Sequence, residues 1–305
     1  MGVAKTASTE SPVTSTLDLV LLGVALVAVS TSGPLVREAG APTLSIAFWR
    51  TCLASVVIVP VAFVRHRDAL RALSRDERRR AALAGALLGL HFATWVPSLS
   101  FTSVASSVAL VCTQPVWTAI MARARGEHIA RGAWIGIGVA LLGALVLTGV
   151  DLSLSARALF GDALALAGGV FAAAYVTVGS DARRTMSTTV YTSICYPVAA
   201  IGLLGACVAG GQDLGHYDAR TWWILLAITV GPQLLGHSLV NRVLRTISAT
   251  TVSVTILFEI VGATIIAWWW FGERPTVGAY PAAVLIALGV VLVVRSNRTS
   301  TPVVD

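Results

Sequence analysis

Lysine is almost missing from this chain: Lys5 is the only one. With no other lysine, a buried Schiff-base amine has no place in the body of the protein. Charge of either sign is scarce too. Asp, Glu, Lys and Arg make up 12% of 305 residues, against about 25% in soluble domains. The four cysteines, Cys52, Cys112, Cys195 and Cys207, are scattered through apolar runs. They have neither the clustered spacing of a disulfide framework nor that of a metal site, so they read as core fillers. There is no His-Glu-x-x-His and no glycine loop ending in Lys-Ser/Thr, and long polar stretches are lacking. No metal, cofactor or catalytic centre is therefore expected, and an enzyme is excluded. The net charge of +7 invites a nucleic-acid reading, but its distribution speaks for a membrane instead.

What the chain has in abundance is apolar length. Hydrophobic residues make up 56% and the mean hydropathy is +0.79. A helix needs about 20 apolar residues to cross a bilayer. On that measure the sequence predicts ten spans, at 17–36, 43–64, 81–98, 102–122, 132–150, 158–179, 188–210, 220–241, 247–271 and 277–295. Residues 1–16 are rich in Ser and Thr and read as a disordered tail rather than a leader; 296–305 read as a second tail.

Arginine sets the orientation. Alternate connections hold seventeen of the basic residues, seven of them between Arg65 and Arg80. The other connections hold four, Arg37, Arg157, Arg220 and Arg274, and Arg50 lies inside a span. The positive-inside rule then places both termini in the cytoplasm of a cell-membrane protein. Trp222-Trp223 and Trp268-Trp269-Trp270 read as interface anchors. The small residues Gly136, Gly138, Ala140, Gly143 and Ala144 suit helix packing or a dimer face, so a monomer and a homodimer both stand.

One stretch, Thr246 to Arg274, organises the rest. A small-polar run opens it, Glu259 is the only ionisable residue between Leu257 and Trp269, and a tryptophan belt with Gly272-Glu273 closes it. An acid at mid-bilayer is costly, by ~3 kcal/mol or more, and marks a functional site by default. The stretch has an echo at Thr102 to Glu127. Thr102, Ala105 and Val108 precede Thr246, Ala249 and Val252 by 144 positions, and Gly126-Glu127 precedes Gly272-Glu273 by 146. Such an offset implies duplication, with units at 17–150 and 158–295. Five spans per unit invert the second relative to the first.

These features resemble the EamA-type drug/metabolite transporter superfamily. The likeness rests on Gly126-Glu127 and Gly272-Glu273 closing spans four and nine, on Phe48-Trp49-Arg50 and Gly161-Asp162, and on the run from His237 to Arg242. It covers about residues 17–295. It implies a secondary carrier, often an exporter of metabolites or drugs, with an all-α fold of ten transmembrane helices in two inverted five-helix repeats. The family commonly has Glu-Pro in spans four and nine; here span four has Gln114-Pro115 and span nine Glu259-Ile260.

Eight residues are candidates for substrate binding or proton coupling. Glu259 suits a proton or a substrate cation, or else pairs with Arg50, which lies about 11 Å into span two at 1.5 Å per residue. His91, mid-span, is a proton carrier or helix glue, and Trp95 lies one turn on. Gln114 occupies the place of Glu259 in the first repeat and lines the same cavity or joins helices. Tyr175 faces the cavity or packs among aromatics. His237 and Asn241, one turn apart toward the cytoplasm, form an inner gate, touch substrate or end a polar helix. The combined expectation is a proton-coupled exporter of a small amphoteric, amino-acid-like solute working by alternating access. Two alternatives are a broad exporter of cationic drugs, using Glu259 with Trp95 by cation–π attraction, and a non-transport lipid-handling or scaffold protein.

Overall fold

A computed structural model describes residues 15–102, 104–148, 155–272, 274–275 and 277–299. Most of both expected tails, with Lys5, and Glu273 lie outside the described residues. The described residues form ten helical passes. They are α1 (Thr16–Ser30 continuing as Ser32–Glu38), α2 (Thr43–Arg65), α3 (Arg75–Ser98), α4a (Val104–Val111) with α4b (Gln114–Ala124), and α5 (Arg131–Thr148). The second half repeats the plan with α6 (Ala156–Arg183), α7 (Thr188–Ala209), α8 (Ala219–Val243), α9a (Ala249–Ile256) with α9b (Phe258–Phe271), and α10 (Ala279–Thr299). Eight passes are long and apolar enough to cross a membrane, and α5 is a shorter apolar helix. The Arg65–Arg80 connection is not bare loop: it carries a short helix, Arg67–Ala72, and α3 begins at Arg75 under a Ser74–Glu77 capping box.

Connections are short, so successive passes run antiparallel. One end of the bundle then collects Arg65, Arg75, Arg125, Arg131, Arg183 and Arg242, and is called the basic end below. Trp223 and Trp269 are 72% and 83% exposed on the outer surface, as lipid-facing anchors require. Trp222 is different: it packs edge-on against Trp49 at 4.9 Å.

Four passes are broken among the described residues, and three of the breaks have local causes. In α1 the Thr31 hydroxyl donates to the Ala28 carbonyl at 2.7 Å. In pass four, Pro115 lacks an N–H and Thr113 turns back onto the Leu110 carbonyl at 2.6 Å. In α8, Thr229–His237 winds as a π-helix around Pro232. Pass nine divides at Leu257. Expected spans four and nine, drawn as single helices, are thus two pieces each. As a result Gln114 is the first residue of α4b and Glu259 the second of α9b. Broken helices of this kind build binding sites in secondary carriers.

The small-residue stripe of α5 is used within the chain. A Cβ on Gly136 would lie 2.7 Å from the Gly289 carbonyl oxygen, so α5 and α10 approach backbone to backbone. That contact takes Gly136, Ala140 and Gly143 away from a dimer face. The largest core joins α2, α3, α6 and α7, with Leu88, Phe92, Tyr191, Cys195 and Tyr196 buried at its centre.

Candidate functional site

A cavity of about 790 Å³ lies among α1, α2, α3, both halves of passes four and nine, α6 and α8. Its walls are mostly aliphatic, with Val96, Val108, Val111, Ile256, Leu257 and Ile260 among them. It reaches Arg37, Leu99, Leu147 and Phe271 at the end opposite the basic one. Below it α4b and α9a pack together, whereas α4a and α9b share no comparable contact among the described residues. Thr118 and Ser253 join this lower pair at 3.0 Å, and Gln114 Nε2 donates to the Ser253 hydroxyl at 3.3 Å. The cavity therefore opens at one end and is shut at the other.

Seven of the eight candidate residues line it: Arg50, His91, Trp95, Gln114, Tyr175, His237 and Glu259. The eighth, Asn241, does not. It is fully buried one turn beyond His237, beneath the floor. There its side-chain amide meets the Tyr175 hydroxyl, with Nδ2 at 2.7 Å and Oδ1 at 3.0 Å. Asn241 holds Tyr175 and does not touch the cavity.

Arg50 does not pair with Glu259. Its Nε donates to Gln233 Oε1 at 2.9 Å and its Nη1 to the Ser32 hydroxyl at 3.2 Å. Its guanidinium also lies 4.6 Å from the Phe92 ring centroid, within cation–π range. Nη2 has no hydrogen-bond partner among the described residues. Glu259 has neither a hydrogen bond nor an ion pair among the described residues. The cavity wall thus holds a fixed cation whose Nη2 amino group is buried and unbonded and, separately, a carboxyl without a bonded partner among the described residues.

His91 Nδ1 lies 3.0 Å from the Gly168 carbonyl oxygen. A carbonyl only accepts, so Nδ1 carries the hydrogen and Nε2 is the ring's acceptor. The ring stacks on Trp95 at 5.7 Å and 7°. Gly168 allows this approach, since a Cβ there would lie 2.8 Å from that of Trp95. Trp95 Nε1 is a second buried donor of the cavity wall without a partner among the described residues. His237 lies edge-on to Phe92 at 5.5 Å and faces Tyr175 at 6.5 Å.

Other readings shift with this geometry. Gly262, three residues after Glu259, meets Ser30 of α1. Of the hydroxyl residues on the two halves of pass four, Ser107 is buried against Ser98 at 2.6 Å and Thr118 belongs to the lower contact. Cys112 lines the cavity, whereas Cys195 and Cys207 are buried in the core. Gln233 was missed from the sequence. Its signal was a lone amide beside Gly231-Pro232 in the middle of a span. Among the described residues no cluster of His, Cys, Asp and Glu is arranged to hold a metal.

Duplicated helical halves around one polar-spotted cavity define a membrane carrier. The chain belongs to the EamA-like transporter family, whose model matches residues 16–149 and 159–295. It is a multi-pass membrane transporter of a small molecule, and not an enzyme; the lipid-handling and scaffold alternatives fall away. A solved crystal structure shares the fold, with a TM-score of 0.77 and 17% identity over 93% of this chain and 99% of that one. No curated protein matches the sequence significantly.

Proposed function

We propose that the protein is a proton-coupled exporter of a small amphoteric solute, working by alternating access between units at 17–150 and 158–295. The observation that carries this reading is the separation of opposite charges in one cavity. Arg50 keeps an unbonded Nη2 amino group and Glu259 has no bonded partner among the described residues, so neither neutralises the other by direct contact. A solute bearing a carboxylate and an ammonium group complements both. The aliphatic walls take its uncharged part, as is usual for small-molecule sites.

The remaining polar groups fit the same cycle. The Trp95 indole N–H supplies a second donor toward the carboxylate. His91, fixed with Nε2 as acceptor, takes a proton from the cavity, and Glu259 exchanges a proton for the ammonium group. Gln114, at the start of α4b, orients the solute opposite Glu259. His237 and Tyr175 form the floor. With the basic end in the cytoplasm of the cell membrane, the cavity faces outward, the state from which a proton is taken up and a solute released. A cationic-drug exporter uses Glu259 and Trp95 but leaves the Arg50 cation unpaired, so the geometry favours it less.

The test is flux in proteoliposomes loaded with a pH-sensitive dye. Leucine added on one side is expected to drive saturable proton movement that Glu259→Gln removes. Leucine flux with no proton movement rejects the coupling. Proton movement driven equally by a quaternary ammonium dye favours the cationic alternative.

A further inference from the structure

Arg183 is the second deeply buried arginine. It ends α6 at the basic end and is 1% exposed. Its Nε donates to the Asn241 backbone carbonyl at 2.8 Å, which caps the last turn of α8. That role occupies one N–H group only. Nη1 has no hydrogen-bond partner among the described residues. No carboxylate pairs with Arg183 among the described residues, and the charged groups acting on it are two more cations, Arg242 and Arg245. Buried charges are normally paired; this one faces like charge.

Arg183 lies next to the cavity floor. Asn241, whose backbone carbonyl it bonds, is held through its side chain by Tyr175, and Tyr175 lines the cavity. In an inverted repeat the two ends exchange states when the carrier switches, so Arg183 is the buried cation at the end that then opens.

We propose that Arg183 is the anion-binding group of an inner vestibule, a carboxylate site that forms when the basic end opens. The Asn241 carbonyl is its partner in the closed state and the carboxylate of the entering solute its partner in the open one. This rests on the alternating-access reading above, but its test does not need the substrate. Ser180 is half-buried on α6, one turn before Arg183 and on the same face. Ser180→Cys is placed in the full-length protein in inside-out vesicles. Its labelling is followed with anionic sulfonatoethyl and cationic trimethylammonium-ethyl methanethiosulfonates, against the parent protein as a control for native thiols. With each rate normalised to that of a free thiol, the anionic reagent is expected to react roughly tenfold faster than the cationic one. Arg183→Gln should erase the preference and Arg183→Lys retain most of it. If Arg183→Gln does not accumulate, the same ratio in Arg242→Gln and Arg245→Gln decides: a preference that either change erases belongs to that arginine and overturns the assignment to Arg183. No labelling from the basic end, or a ratio near one, overturns the inner site. A protein that carries leucine yet shows no anionic preference keeps the transport reading and loses only this one.

Discussion

Arg50 and Gln233, 183 positions apart, share the contact that shapes the cavity: the arginine Nε donates to the amide oxygen at 2.9 Å. The contact is fully buried and depends on the π-helical turn that carries Gln233. Insertions of this type concentrate at functional sites. It frees Arg50 from Glu259 and gives each of the three residues a distinct mutational signature.

Gln233→Leu removes the acceptor and leaves the Arg50 Nε buried and unbonded. Stability should fall by about 1.5–3 kcal/mol, the range for hydrogen bonds to charged groups. Gln233→Glu keeps an acceptor and adds a counter-charge. That variant should fold at least as well as the parent but bind carboxylates poorly, because Arg50 is then neutralised. Denaturation in detergent together with ligand binding separates the two outcomes. Equal behaviour of both variants would show that the contact does not set the charge of the cavity.

Glu259→Gln should leave stability within about 0.5 kcal/mol of the parent, since no partner is left unpaired. Transport should nonetheless drop more than tenfold. A large loss of stability, rescued by a second change Arg50→Gln, would mean that the two side chains pair directly in another state of the carrier.

Gly168→Ala brings a methyl group against Trp95, whose Cβ would be only 2.8 Å away. The expected cost is about 1–3 kcal/mol, as for other overpacked contacts. The shift should also disturb the His91 contact with the Gly168 carbonyl. Flux measured across a range of pH should then lose its dependence in the same direction as His91→Ala. A stable Gly168→Ala carrier with unchanged pH dependence would leave His91 as helix glue.

Orientation is checked by single cysteines at Asp68 and His216, both exposed and at opposite ends of the bundle. Asp68→Cys is expected to label from the cytoplasm and His216→Cys from outside. Labelling from one side only would break the ten-pass arrangement.

The ten passes were legible because apolar length is a composition signal that needs no tertiary information. The lone acid in span nine was legible for the same reason, since a charge stands out in an apolar run. The breaks at Thr113 and Leu257 were not: each is a short departure inside a run that stays apolar on both sides. Asn241 was placed with His237 by its spacing of four, but that spacing also moves one full turn along the helix, and here the turn carries Asn241 beneath the floor. The Arg50–Gln233 contact joins two distant spans, and no local pattern encodes such a pairing. Gln233 gave only the weak hint of an amide beside a proline.

The most direct test of a site that reads carboxylate and ammonium together is calorimetric titration of the purified protein with leucine, leucine methyl ester and N-acetyl-leucine. The parent should bind leucine more tightly than either singly charged probe. Arg50→Gln should bring leucine down to the level of the ester, and Glu259→Gln to that of the acetyl derivative. Three equal affinities in the parent, or affinities that neither substitution changes, would contradict the assignment of Arg50 and Glu259 to the two ends of one amphoteric solute.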